Sequence, residues 1–143
     1  GFVARRQTTQ HFELVAKFES STPHGIGVGI DGRHHLGLMK WGSEVKATWT
    51  IGDHRMDIGV VEVGDRDFEF VIRSVAMQGG FHEPVGPDKL HCSVRFSDGT
   101  EVEVGALDGR YISTEVAGGM TGRVIGVLAF ESALLKKWSY KSA

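Results

Sequence analysis

Short runs of alternating apolar and polar residues, each closed by a glycine-bearing turn, constrain this chain more than any other feature. Phe12, Leu14, Ala16 and Phe18 alternate with His11, Glu13, Lys17 and Glu19, broken only by Val15. A period of two sends successive side chains to opposite faces of an extended strand, so one face is apolar and the other wet. Residues 26–30, 34–41, 45–51 and 57–63 read as further strands, split by Asp31-Gly32, Gly42-Ser43 and Gly52-Asp53. Ser20 to Gly25 reads as a turn. Phe68 to Met77 is apolar on both faces, with Phe68, Phe70 and Ile72 on one and Val71 and Val75 on the other, which predicts a central strand covered on both sides. Residues 78–88 hold three glycines and two prolines and read as a loop. Leu90 to Phe96 and Thr100 to Val104 form a hairpin around Ser97-Asp98-Gly99, whose Asp-Gly pair suits the positive φ angles of tight turns. Arg123 to Phe130 and Leu134 to Tyr140 are the last strands.

No segment sustains a 3.6-residue period, so long helices are not expected. About ten short strands in 143 residues fit an all-β fold, a two-sheet antiparallel β-sandwich or jelly roll. Its expected core is Phe12, Leu14, Phe18, Phe70, Ile72, Phe96, Ile125 and Val127.

A chain of this length supports one domain with a real core. The net charge of −2 gives no electrostatic footprint for nucleic acid or an anionic membrane surface. No apolar run approaches the roughly 20 residues of a membrane helix. The single cysteine, Cys92, excludes an internal disulfide. With no signal peptide at the start, this leaves localisation open with a lean towards the cytoplasm.

Motifs for chemistry are sparse. Gly27-Val-Gly-Ile-Asp-Gly32 matches the dinucleotide pattern, but a strand rather than a helix follows, so the phosphate-binding helix end is missing. Gly25, Gly27 and Gly29 instead read as a strand face packing flat against a bulky neighbour. Seven histidines show no His-x-His or His-x3-His pair, His34 and His35 point to opposite faces, and Cys92 has no Cys-x2-Cys partner, so neither a metal nor another cofactor is expected. No Gly-x-Ser-x-Gly occurs, and no histidine lies near Ser113-Thr-Glu115 in sequence to act as its base. No residue is assigned a catalytic role. Trp41 and Trp49 are candidates for stacking on sugar rings.

Asp108-Gly-Arg-Tyr-Ile-Ser-Thr-Glu-Val-Ala-Gly-Gly-Met-Thr-Gly-Arg-Val-Ile-Gly-Val-Leu-Ala129 resembles the pattern D-G-R-aromatic-hydrophobic-S-T-E-V-A-G-G-F-T-G of a particular domain. That domain is the C-terminal concanavalin-like β-sandwich of family 43 glycoside hydrolases of the β-xylosidase and α-L-arabinofuranosidase type. Phe2-Val-Ala-Arg-Arg-Gln7 resembles the phrase that opens it, and Lys137-Trp-Ser-Tyr140 its closing strand. The likeness is densest at 108–129 and weakest at 41–90.

The resemblance implies that residues 1–143 are one accessory domain of a longer enzyme whose N-terminal five-bladed propeller carries the catalytic carboxylates. The partners implied are that propeller and, through it, a xylo- or arabino-oligosaccharide. The chain alone would then be inactive, packing on the propeller and narrowing its active-site entrance. In some members of the family the loop corresponding to Ala117–Gly122 leans over the sugar pocket. Met120, with Gly119 and Thr121, would form an apolar wall there, Met standing where the family usually has Phe; the competing expectation packs Met120 internally. The alternative function is an independent carbohydrate-binding module, which would show a row of exposed aromatics rather than a broad apolar face.

Overall fold

Eleven strands account for most of the residues described in the computed structural model, namely 2–6, 11–31, 33–75, 88–109, 123–129 and 133–142. In chain order they are β1 (Phe2–Arg6), β2 (Phe12–Glu19), β3 (His24–Asp31), β4 (His34–Trp41), β5 (Glu44–Ile51), β6 (His54–Glu62), β7 (Phe68–Val75), β8 (Lys89–Phe96), β9 (Glu101–Asp108), β10 (Val124–Ala129) and β11 (Leu134–Ser142). A six-stranded sheet has the order β1-β10-β3-β4-β5-β6, and a five-stranded sheet the order β11-β2-β7-β8-β9. Every pairing is antiparallel. The fold is the expected all-β sandwich.

Local chemistry explains the turns. In the β8–β9 hairpin, Gly99 takes φ 90°, its N–H donates to the Phe96 carbonyl at 2.9 Å, and the Asp98 carboxylate accepts the Thr100 N–H at 2.8 Å. An asparate side chain that bonds its own backbone two residues on is a standard turn former.

Alternation builds the core. Phe12, Leu14 and Ala16 of β2, Phe70 and Ile72 of β7, and Cys92 and Val94 of β8 face Ile26 and Val28 of β3, Leu36 and Leu38 of β4, and Ile125 of β10, all at most 1% exposed. Burying each of the larger side chains stabilises the fold by roughly 1.5–3 kcal/mol. All eight residues expected inside are there, Phe18 and Val127 as half-buried neighbours of the core. β7 is the central strand of its sheet and covered on both faces, as its sequence predicts.

Some boundaries differ from expectation. His24 is not a turn residue: it opens β3, is 4% exposed, and pairs with Ala129 and Lys40. β6 starts at His54 rather than 57, and β9 runs on to Asp108 past a register shift opposite Cys92 and Ser93, which a period-two reading stops short of. Of the expected loop at 78–88, residues 78–87 lie outside the described residues; Asp88 is buried.

One long edge of the sandwich is closed by near contact of two backbones. A Cβ on Gly59 of β6 would lie 1.6 Å from the Val104 carbonyl oxygen of β9, so only glycine fits this seam. The outward face of the five-stranded sheet is a charge lattice. Arg73 bonds Glu13 at 2.8 Å and forks onto Glu101, while Arg95 lies 3.7–3.8 Å from Glu13, Glu69 and Glu101. Lys137 reaches Glu69 at 2.7 Å and Lys141 reaches Glu13 at 3.5 Å. Beneath these long side chains Val15 and Val71 are buried.

Candidate functional site

The outward face of the six-stranded sheet is built differently, and its sequence says why. In the observed register Gly27 stands between Gly37 of β4 and Gly126 of β10, with Gly25 and Gly29 one pleat to either side. A sheet face without side chains is a flat floor. Leu128 of β10 reaches over it: a Cβ on Gly27 would lie 3.2 Å, and one on Gly37 3.7 Å, from its Cδ1. This is the bulky neighbour the glycine run predicts. Beyond Leu128, the floor continues as an apolar groove of about 440 Å³ between Leu128, Val124, His35 and the backbone of Gly27–Asp31. Around β10, β3 and β4 this face is apolar and grooved, in contrast to the cross-linked charges on the other side of the sandwich.

Further across the same face, Trp41 borders a hollow of about 420 Å³ with Lys46, Thr48, Arg55 and Asp57. Thr48 Oγ1 donates to Asp57 Oδ1 at 3.1 Å, and Lys46 Nζ is 3.9 Å from Asp57 Oδ2. Trp49 is not there. It packs, half-buried, against the core on the inner face of β5. The two tryptophans sit on opposite faces of one sheet and do not form a joint platform.

At one end of the sandwich four chain segments converge on Asp88. Its carboxylate receives a fork from Arg123, Nη1 to Oδ2 and Nη2 to Oδ1, both at 2.7 Å, and the Ser74 hydroxyl also donates to it. Arg123 Nη2 donates to the Gly109 carbonyl at 2.7 Å, and the Gly109 N–H donates to the Asp88 carbonyl at 2.8 Å. The side chains are 2% (Asp88) and 10% (Arg123) exposed. A bidentate guanidinium–carboxylate pair fixes orientation as well as distance. Gly109 and Arg123 bracket residues 110–122, so this buried clamp holds both ends of that segment. Met120, Gly119 and Thr121 belong to it and lie outside the described residues, as does Glu115.

Other reactive groups are engaged elsewhere. Cys92 is fully buried, and burial pushes its thiol far above the ordinary value, so it is no nucleophile near neutral pH. His34 Nδ1 is 3.0 Å from Asp31, and His91 on the outward face meets Glu103. Among the described residues, no three His, Cys, Asp or Glu side chains gather as a metal site requires. The described part of the Gly-x-Gly-x-x-Gly run lies in β3 and is followed by β4.

No protein-family model and no curated protein matches the chain. Solved structures do. The protein described as Bacteroides ovatus xyloglucan PUL GH43B superposes with a TM-score of 0.77 at 19% identity, over 99% of this chain and 29% of its own. A K247S mutant of the GH43 protein BlXynB from Bacillus licheniformis gives 0.79 at 13% identity, over 98% of this chain and again 29% of its own. This sandwich is a fold carried by GH43 proteins. The chain spans about 29% of the length of those two. Sheep galectin-11, in complex with glycerol, shares the fold more distantly, with a TM-score of 0.53 at 8% identity over 99% of this chain and 96% of its own.

Proposed function

We propose that the chain is the non-catalytic C-terminal sandwich of a family 43 glycoside hydrolase acting on xylo- or arabino-oligosaccharides, a single accessory domain that packs on a catalytic propeller and shapes its active-site entrance. The observation that carries this reading is that essentially the whole chain superposes on less than a third of each GH43 protein, leaving the larger part of those proteins for the chemistry. The sequence likeness over Asp108–Ala129 points the same way. The glycine-floored apolar face is the docking surface in this reading. Apolar area of this kind gains by being covered, whereas the opposite face satisfies its charges by itself. The Asp88–Arg123 clamp sets the ends of the segment carrying Met120, which in this reading forms, with Gly119 and Thr121, an apolar wall of the sugar pocket.

Two measurements test it. The isolated chain is expected to hydrolyse neither p-nitrophenyl xyloside nor p-nitrophenyl arabinofuranoside above background; turnover that survives repurification and is abolished by Glu115→Gln overturns the assignment. In the longer enzyme, Met120→Ala is expected to lower kcat/KM about 10- to 200-fold, the worth of one apolar pocket contact, with the melting temperature kept. A buried packing role would instead cost about 2–5 kcal/mol of stability and leave the kinetics intact. The alternative, a free-standing carbohydrate-binding module, draws support from Trp41 alone, because Trp49 faces the core.

A further inference from the structure

The groove beside Leu128 differs from the Trp41 hollow in its almost wholly apolar lining, and its place on β10 says what belongs in it. The floor is the backbone of Gly27–Gly29, and the walls are Val124 and Leu128, two positions of the same parity on β10. At Gly29 the flatness is enforced from within, because a Cβ there would lie 2.5 Å from His35 Cβ and 2.7 Å from the His34 carbonyl oxygen. Bare peptide planes make a flat surface, and glycine inside a strand suits the close approach of another group. Asp31 brings a carboxylate to the lining. Its Oδ1 accepts from the Arg33 N–H at 2.8 Å and lies 3.0 Å from His34 Nδ1. Both contacts fall on Oδ1, so Oδ2 keeps lone pairs for a further donor.

Both ends of the groove lie where the sandwich is tied to its surroundings. At the Leu128 end, Phe2 of β1 is the register partner of Leu128. If a propeller precedes the sandwich, as in the reading above, its polypeptide is delivered beside this wall. At the other end, Val124 directly follows Arg123, whose clamp sets one end of residues 110–122. The groove therefore runs between the two connections through which, in that reading, the sandwich meets the catalytic domain. The matched GH43 proteins hold more than two thirds of their length outside the part that superposes, enough to cover it. A hollow of about 440 Å³ lies within the roughly 300–1,000 Å³ of small-molecule sites, more than one aliphatic side chain fills, and a flat floor takes a flat ring. Tryptophan and tyrosine are enriched among buried interface anchors and join an apolar ring to one N–H or O–H donor.

We infer that the groove seats one tryptophan or tyrosine side chain of the catalytic domain of the same polypeptide. The ring lies on the glycine floor between Leu128 and Val124, and its N–H or O–H donates to Asp31 Oδ2. This anchor rests on the docking reading and gives it a single point of greatest energy.

The test titrates indole and p-cresol, the two side chains as free molecules, into the 143-residue chain and follows methyl and amide shifts by NMR. Saturable shifts are expected at Leu128, Val124 and Gly27–Gly29. Leu128→Ala and Val124→Glu, either of which serves if the other fails to fold, should weaken binding about tenfold or more, and Trp41→Ala should change nothing. 4-Methylanisole, which has the ring of p-cresol without the donor, should bind about 5- to 10-fold more weakly, the worth of one hydrogen bond. In the longer enzyme the same probes should shift none of these residues, because the anchor fills the groove. The inference is overturned if no probe shifts the groove saturably, if the folded variants bind like the parent, if 4-methylanisole binds as tightly as p-cresol, or if the longer enzyme takes the probes as the chain does. Cleavage at a protease site placed ahead of Gly1 separates this failure from that of the docking reading. Pieces that stay together on size exclusion while the groove still takes p-cresol leave docking standing and remove the anchor; pieces that part company remove both.

Discussion

Replacing Arg123 by methionine would test whether the buried clamp governs the end of the sandwich it occupies. The substitution keeps the aliphatic stem but removes two 2.7 Å bonds to a carboxylate whose side chain is 2% exposed, and one to the Gly109 carbonyl. Removing one partner of a buried ion pair costs about 3–5 kcal/mol, because the other charge stays behind without compensation. The whole domain has only about 5–15 kcal/mol to lose. At roughly 3–5 °C per kcal/mol for a chain of this size, the melting temperature should fall by about 10–20 °C. Calorimetry on the single variants and on Asp88→Asn/Arg123→Met completes a cycle. The double variant should be clearly more stable than the summed single losses predict, since the orphaned charge is gone. Arg123→Lys, which keeps the charge and loses the fork, should fall between. If Arg123→Met costs less than about 1 kcal/mol, in the range of exposed pairs, or if the singles simply add, the pair is solvated and the reasoning fails.

Gly59→Ala should be among the most damaging methyl additions in the chain, at or above the upper end of the about 1–3 kcal/mol of an overpacked site, because its Cβ would meet the Val104 carbonyl oxygen at 1.6 Å; Gly42→Ala, with φ 61° and open space around it, should cost only about 1–2 kcal/mol in a denaturant melt. Burial pushes the Glu13 carboxyl up, but Arg73 with Lys141 and Arg95 outweighs this and leaves it below its ordinary value. A depressed carboxylate contributes stability above its unfolded pKa of about 4.3 and loses it as pH falls through the folded value, so Glu13→Gln should flatten the stability profile below about pH 4 and lower the plateau above it. Cys92 should resist a thiol reagent such as DTNB in the native state and react fully in denaturant; fast native labelling would contradict its burial.

The architecture was legible because burial follows parity. On β2, β7 and β8 the residues picked out as inward, Phe12, Leu14, Phe18, Phe70, Ile72 and Phe96, lie in or against the core, although Leu90, Cys92 and Val94 of β8, on the same parity as Phe96, were not among them. The tryptophan pair shows what parity settles once a turn is counted. Trp41 and Glu44 are register partners across a two-residue turn and share a face, so Trp49, five residues past Glu44, must lie on the other. The signal was in the sequence, in the Gly42-Ser43 turn. No such signal existed for the clamp. Asp88 and Arg123 are 35 residues apart, and no period in the sequence links them. His24 was hidden for a related reason. Beside Ser20-Ser-Thr-Pro23 it reads as turn chemistry, and its pairings with Lys40 and with Ala129, about a hundred residues on, draw it into the sheet.

That long-range pairing bears on how the molecule comes into being on the ribosome. β3 through β6 and β7 through β9 are meanders of neighbouring hairpins that can assemble as they emerge. β2 and β3, adjacent in the chain, go to different sheets, where each takes one partner from the last two strands, β11 and β10. Until residues 124–142 are made, both strands present an open edge to solvent and to any neighbouring nascent chain. β1 waits still more completely, since among the described residues its pairing is with β10 alone. Synthesis thus leaves the first strands exposed longest, and the final strands close both sheets at once.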